Sequence, residues 1–385
     1  MVEQILLYLS AVFAGLILLL HLVCLAGVLR NRLGDALRKT DGSPHLSYPV
    51  SVIVVAKDEE ANLPPLFASL ESQSMQDFQI ILVSDRSQDR TLELMKGFAE
   101  KHGSRVKVME NTETVENMGP KQFVLDIATA AAEGEILMFT DADCTVPPRW
   151  VEKMQPYFKD PRVGVVFGQI SLKKAKGFFR NFQGFDQPLI HQYNSATAGL
   201  GMPGSCFGNN LVARKAVIDQ FGGFRSLGYT LTEDAALATA AAKSGWKVRV
   251  STQTDAMIET VAQERWRDLI NQHLRWNGGA FYHEDFATRI AYRFITLYLI
   301  ASVVAVPAAV FLPFLFLLPV CSLISVGLMA LIAGIFYRQD KSWYLLRLVP
   351  YTGFFLVFYS YVTLLSIFQV PPKWKGRRWQ PAHHE

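Results

Sequence analysis

Gly134-Glu-Ile-Leu-Met-Phe-Thr-Asp-Ala-Asp-Cys144 is the stretch from which the rest of the chain can be read. Ile136 to Thr140 is an apolar run long enough for a buried strand and too short for a helix to be preferred. It delivers Asp141 and Asp143 into the turn that follows, and Pro147-Pro148 stops any continuation. Two carboxylates spaced i, i+2 at a strand end both face a cleft if the chain leaves the extended conformation there. Oxygen ligands of this kind suit Mg2+ or Mn2+, cations that bring phosphates with them. The other reading is two solvated turn aspartates ahead of the next helix, and the pair alone does not choose.

Working outward, Val50 to Ala56 is a continuous β-branched run, the pattern of a strand buried on both faces of a parallel sheet. Lys57-Asp58 follows at its end, and Asn62-Leu-Pro-Pro65 starts a helix reaching about Gln73. Phe78 to Val83 is a second strand, ending near Asp85; a helix from Thr91 to His102 leads to a third strand, Val106 to Glu110. A helix from Lys121 to Ala132 precedes the strand that carries Asp141, and Val163 to Leu172 reads as a further strand. Strands alternating with helices predict an α/β, doubly wound sheet whose ligands bind outside the strand carboxyl ends. Three polar clusters fall at such ends: Lys57-Asp58, Asp85 and Asp141/Asp143. The chain has no Gly-x-Gly-x-x-Gly after the first strand and no Walker A sequence, so a nucleotide would bind by another arrangement.

At this point the run Val50-Ser-Val-Ile-Val-Val-Ala-Lys-Asp-Glu-Glu-Ala-Asn-Leu-Pro64 resembles the opening of family-2 glycosyltransferases with a GT-A fold. The resemblance continues through Val83-Ser-Asp-Arg-Ser-Gln-Asp-Arg-Thr91, Gly119-Pro-Lys121, Thr140-Asp-Ala-Asp143, Gly208-Asn209-Asn210, Thr232-Glu-Asp234 and Gln272-His-Leu-Arg-Trp276. It covers roughly residues 48 to 285, in the family's order. The resemblance implies inverting transfer of a sugar from a nucleoside diphosphate sugar donor. Lys57, Asp58 and Asp85 would then face the base and ribose, and Lys121 the diphosphate. Asp143, helped by Asp141, would hold Mg2+ or Mn2+. The family often has Arg-Asn where Lys57-Asp58 stands and a second acid where Ser84 stands, and Pro120 splits the usual Gly-Lys; these departures bear on the identity of nucleotide and sugar.

Thr232-Glu-Asp-Ala-Ala-Leu reads either as a capped helix start with acids at its positive end or as the seat of a base. A carboxylate fixed there beside a cleft takes the proton from an acceptor hydroxyl as it attacks the anomeric carbon. The resemblance points to Asp234 as that base, with Glu233 in a lesser role. Gln272 and Arg275, three apart, share one helical face. Arg275 suits the departing diphosphate and Trp276 a platform for sugar or acceptor, whereas an interfacial tryptophan-arginine helix is the competing reading. Phe178, Phe179, Phe182 and Phe185 among basic residues read equally as a membrane-surface face or as core.

The whole chain has 385 residues, 50% hydrophobic and 19% charged, with a formal charge of +4 and a mean hydropathy of +0.17. That is too apolar for an ordinary soluble enzyme. Its basic runs are short and lie beside apolar segments, which gives a nucleic-acid role no support. Four scattered cysteines without a C-x-x-C pattern read as reduced thiols. Ile5 to Val28 is long enough to span a bilayer. Arg30, Arg32, Arg38 and Lys39 follow it, which places residue 30 onward in the cytosol.

The expected organisation is an N-terminal transmembrane helix over 1–29, a cytosolic linker over 30–47 and a GT-A domain over 48–285. A C-terminal region of two or three spans covers 286–372, and a basic tail covers 373–385. Three C-terminal spans would leave the basic tail on the outside, against the positive-inside rule. The expected protein is an integral membrane enzyme, most economically of a bacterial inner membrane, with a lipid or other hydrophobic acceptor. A processive polysaccharide synthase and an inactive membrane scaffold are the alternatives.

Overall fold

The computed structural model describes residues 2–40, 48–115, 118–173, 177–230, 232–337, 341–374 and 377–378. Nine strands matter here: Val50–Ala56 (β1), Gln79–Asp85 (β2), Val106–Asn111 (β3), Ile136–Asp141 (β4), Val163–Phe167 (β5), Ile170–Leu172 (β6), Leu211–Arg214 (β7), Lys247–Val250 (β8) and Ile258–Thr260 (β9). Seven form one sheet in the order β3-β2-β1-β4-β7-β5-β8, while β6 pairs with β9. β1 runs parallel to β2 and β4, and β2 parallel to β3, so their carboxyl ends share an edge. β7 is antiparallel to β4 and to β5. This is the mixed α/β sheet of a GT-A-type domain.

β1 to β4 form where the apolar runs predict them, and both faces of their sheet are covered. Helix Pro120–Ala130 lays Val124, Leu125 and Ala128 into one cluster with Ile53, Ile81, Val83, Leu137 and Phe139. Burying each such side chain is worth about 1.5–3 kcal/mol. The predicted single strand over Val163 to Leu172 is instead two strands in different sheets. The reason lies at Gly168, whose N–H donates to Asn210 O at 2.7 Å. A Cβ on Gly168 would lie 2.3 Å from Asn210 Nδ2, and that buried amide donates to Gln169 O at 2.7 Å, so Asn210 takes up a backbone group at the break.

The chain divides into two compact units. The α/β unit comprises 29–174 and 197–262; the apolar unit comprises 1–28, 175–196 and 263–385. This boundary differs from a single domain over 48–285. Helix Phe178–Gly199 and helix Trp266–Phe281 put Phe182, Phe185, Leu189, Leu269 and Leu274 into one core with Tyr351, Phe355 and Phe358 of helix Leu348–Ile367. Phe182 and Phe185 of the aromatic row are thus core, whereas Phe178 is 51% exposed and Phe179 packs partly buried against that core.

The predicted linker also differs at its start. Residues 30–40 continue the N-terminal helix Val2–Thr40, and 41–47 lie outside the described residues. Asp35, buried on that helix, accepts hydrogen bonds from Tyr157 Oη at 2.8 Å and from the Thr252 amide at 2.6 Å. Of the expected tail, Lys373–Trp374 pairs antiparallel with Arg377–Arg378, and 375–376 and 379–385 lie outside the described residues.

Among the described residues four segments are long and apolar enough to cross a membrane: Glu3–Ala36, Phe286–Ala308, Pro313–Phe336 and Leu348–Ile367. They expose large apolar side chains such as Leu19, Val304, Ile324 and Val357. An apolar surface of that extent marks membrane association.

Candidate active site

The carboxyl ends of β1, β2 and β4 gather the predicted residues of the α/β unit in two groups. In the first, the loops after β1 and β2 lace together. Asp58 Oδ1 accepts from the Gln88 amide at 2.7 Å, and the Asp58 amide donates to Ser87 Oγ at 3.2 Å. The Glu59 amide donates to Thr91 Oγ1 at 2.8 Å. Asp58 and Arg86 both have positive φ, 54° and 52°. Such backbones persist only where the surroundings over-determine them. Lys57 follows β1 at this edge, partly exposed.

Asp85 is 2% exposed. Its carboxylate takes both Nε and Nη2 of Arg86, at 2.8 and 2.7 Å, and Asn111 Nδ2 at 2.7 Å. Both oxygens are therefore engaged by protein donors. Asn111 carried no signal in the sequence, because only the parallel register of β2 and β3 brings it opposite Asp85.

The second group lines a recess beneath β4. Lys121 stands in the first turn of helix Pro120–Ala130, where Pro120 has no N–H to leave unpaired. Its Nζ is 2.8 Å from Asp141 Oδ1 and 3.4 Å from Glu233 Oε1. Glu233 and Asp234 open helix Glu233–Lys243, and both line the recess with Lys121, Asp141 and Gly208. Burial opposes the charge on Lys121, but Asp141, Glu233 and Asp234 outweigh it and push its pKa up. The lysine is a fixed cation among three acids.

Asp234 is set by backbone donors. Its Oδ2 accepts from Gly208 N–H at 2.7 Å and its Oδ1 from Ala235 N–H at 2.8 Å. A Cβ on Gly208 would lie 3.0 Å from Asp234 Oδ2, so glycine allows the loop to approach this closely. Thr232 makes no side-chain capping bond, so the helix start is organised by its acids rather than by that threonine. Gln122, absent from the sequence reading, anchors the same recess. It takes the Gly119 N–H and donates to Phe224 O and Gly228 O, each at 2.7 Å.

Asp143 follows Asp141 in the turn after β4. Burial first, then the charges of Asp141 and Glu59, push its carboxyl up to about 6. A carboxyl group destabilised in its charged form by neighbouring carboxylates is suited to a cation. Among the described residues no three His, Cys, Asp or Glu side chains converge as a closed ligand set. Mg2+ held by one or two carboxylates, with phosphates and water completing its shell, needs no more protein than this. Asp141 and Asp143 fit that role.

Gln272, Arg275 and Trp276 belong to helix Trp266–Phe281 of the apolar unit and are partly exposed there. The structure thus brings Lys121, Asp141, Glu233 and Asp234 together, holds Lys57, Asp58 and Asp85 at the neighbouring strand ends, and carries the Gln-x-x-Arg-Trp residues on the other unit.

A recess of acids and one lysine at the edge of a GT-A-type sheet defines the class of fold, and comparison with known proteins gives the family. A model of Glycosyl transferase family 21 matches residues 6–381, and the chain belongs to that family. It is 25% identical over 240 residues to the beta-monoglucosyldiacylglycerol synthase of Trichormus variabilis, covering 60% of this chain and 49% of the relative. It is 38% identical over 106 residues to the dolichyl-phosphate beta-glucosyltransferase of Drosophila melanogaster, covering 25% of this chain and 31% of that one. The chain spans about half the length of the first of these curated relatives. A mannosyltransferase from Pyrobaculum calidifontis, in complex with GDP-Man and Mn2+, shares the fold with a TM-score of 0.51. The two are 18% identical over 92% of this chain and 99% of that one.

Proposed function

We propose that this chain transfers a single sugar from a nucleoside diphosphate sugar to a hydroxyl of a membrane lipid, inverting the anomeric centre. The observation that carries the reading is the junction of Asp141, Glu233 and Lys121 in one recess with Asp234. Asp234 takes the proton of the acceptor hydroxyl. The hydroxyl oxygen forms its bond to the anomeric carbon as the bond to the diphosphate oxygen breaks. In-line attack inverts the centre and needs no covalent intermediate. Lys121 is a cation suited to the developing negative charge of the departing diphosphate, and Arg275 and Trp276 keep the roles that the Gln-x-x-Arg-Trp motif implies for them. Glu233 holds Lys121 toward the recess, and Lys57, Asp58 and Asp85 form the nucleoside side of the cleft. Asp143 with Asp141 would hold Mg2+ or Mn2+, which supplies charge neutralisation of the diphosphate when bound.

A lipid acceptor is supported by the four apolar segments and by relatives whose names specify a monoglucosyldiacylglycerol and dolichyl-phosphate. The polar side of the chain faces the cytosol on this reading. Tyr282 Oη donates to Ser366 O at 3.0 Å, and Lys373 N–H donates to Asn271 Oδ1 at 2.9 Å. Residues on either side of the three C-terminal apolar helices therefore meet. That meeting supports an even number of crossings, with one of the three helices entering and leaving by the same face. The basic residues Lys373, Arg377 and Arg378 then lie on the cytosolic side, as the charge rule asks.

The test is nucleoside diphosphate release by detergent-solubilised protein with UDP- and GDP-sugars, Mn2+ or Mg2+ and lipid extract, followed by mass analysis of the organic phase. A lipid gaining one sugar unit is the expected result. A water-soluble ladder of products would replace this reading with a polymer synthase, and silence with every donor would leave a scaffold.

A further inference from the structure

We propose that Asp186, His273 and Tyr359 form a buried, proton-sharing latch that fixes the orientation of Trp276, which makes these three positioning residues for sugar transfer. This rests on the reading that Gln272, Arg275 and Trp276 act on the diphosphate and acceptor.

His273 lies inside that motif, between Gln272 and Arg275. Its Nδ1 is 3.0 Å from Leu269 O, one helical turn earlier. A carbonyl oxygen only accepts, so Nδ1 carries a hydrogen. Nε2 is 2.7 Å from Asp186 Oδ2. One proton is shared along that short line. Either an imidazolium faces a carboxylate, or a neutral ring accepts from a carboxylic acid, and both arrangements leave the pair neutral. Tyr359 Oη donates to the other oxygen, Asp186 Oδ1, at 3.2 Å.

With both ring nitrogens engaged, the imidazole cannot turn without breaking a bond. Its side chain is 1% exposed and that of Asp186 is 0% exposed. The ring packs against Trp276, with centroids 5.0 Å apart and an interplanar angle of 60°. It also meets Phe358 at 5.0 Å and Tyr359 at 5.6 Å, both edge-on. The face that Trp276 presents is thus set by a ring that is itself fixed. One turn further on, Asn277 Nδ2 donates to Thr363 Oγ1 at 3.0 Å. Then comes the bond from Tyr282 to Ser366. Polar rungs at 277/363 and 282/366, with His273 and Tyr359 bridged through Asp186, hold helix Trp266–Phe281 and helix Leu348–Ile367 in one register, which sliding apolar faces alone would leave open.

Stability is a poor reason for such a cluster. Buried ion pairs are commonly no more stabilising than well-packed apolar side chains of the same volume. A buried charge left unpaired is costly, so the acid and the imidazole are held there only as partners. What the cluster supplies is a unique placement of the motif helix.

The experiment compares His273→Phe, Asp186→Leu, Asp186→Asn and Trp276→Ala in the full-length enzyme, with donor KM, kcat and detergent melting temperature measured for each. His273→Phe and Asp186→Leu should lower kcat by about 30-fold with donor KM within about threefold, the scale of a misplaced group. Asp186→Asn should recover much of the loss, because its amide can donate to Nε2 of a neutral ring. Combined with Trp276→Ala, His273→Phe should add no further loss, a result that general destabilisation would not give. Losses that multiply in the double variant would overturn the latch. So would unchanged kcat in His273→Phe while Trp276→Ala is impaired. Full turnover in Trp276→Ala would instead sink the reading of the motif on which the latch depends. Should His273→Phe fail to fold, Tyr359→Phe decides the point by losing a single hydroxyl. A severalfold drop in kcat that vanishes in the Trp276→Ala background supports the latch, and an unchanged kcat overturns it.

Discussion

In the α/β unit, Lys121 faces Asp141 and Glu233 with 25% of its side chain still open to solvent, and Asp141 with 36%. In the apolar unit, Asp186 and His273 face each other with nothing exposed beyond 1%. The first arrangement has charges that an incoming diphosphate can re-pair. The second has its partners closed on one another, with no surface to offer. An open cluster of mixed charge is suited to binding and chemistry, whereas a sealed neutral pair is suited to holding helices in place. The two are distinguished by burial and partner count, not by residue type, since both are built from acids and a base.

That contrast can be broken most sharply at Asp234. Asp234→Asn should lower kcat by about 10³-fold, within the range for loss of a general base, with donor KM little changed and the protein folded. Retained turnover in steady-state assays would remove Asp234 as the base. Next comes metal: chelation, or Asp143→Ala, should cut turnover by about 10²-fold, several kcal/mol of charge stabilisation being at stake. Added Mn2+ or Mg2+ should restore the chelated wild type and not the variant; metal-independent turnover would refute the Asp141/Asp143 assignment.

Lys121→Met leaves Asp141, Glu233 and Asp234 without their cation. It should weaken donor binding by roughly 10- to 100-fold, the value of a charged hydrogen bond, as titrated by isothermal calorimetry. Gly208→Ala sharpens the comparison further, since its Cβ would crowd Asp234 Oδ2 at 3.0 Å. A loss of about tenfold in kcat, with donor affinity intact, is expected for a displacement of a few tenths of an ångström. The smallest effect on chemistry belongs to an apolar core position away from the motif. Phe185→Ala, in its core, should reduce stability by about 3 kcal/mol, seen as a lower melting temperature in detergent, while kcat per folded molecule stays within a factor of about two.

β1, β2 and β4 were legible because each is an apolar run buried on both faces, and β1 and helix Thr91–His102 fall at the predicted bounds; β7, β8 and β9 are too short to stand out from the sequence. Val163 to Leu172 was not legible as two strands, because the backbone group at the break is taken up by Asn210, more than forty residues away. Lys121, Asp141, Glu233 and Asp234 were found from motif order, but nothing local says that one lysine joins acids from a strand end and a helix start. Asn111, Gln122 and Asp186 escaped notice for the same reason. Their types are ordinary, and their roles exist only through partners distant in sequence.

The sequence by itself determined the α/β pattern, an N-terminal apolar helix followed at the other end by two or three apolar spans, and the identity of the acids that crowd the strand ends, because hydrophobic periodicity and turn chemistry act over a few residues. Only the tertiary structure decided which acids share Lys121, that Gly208 holds Asp234, and that residues 175–196 and 263–285 join the apolar unit. Those outcomes depend on side chains meeting across long loops, where burial sets which charges stay open to a ligand and which are sealed into a pair.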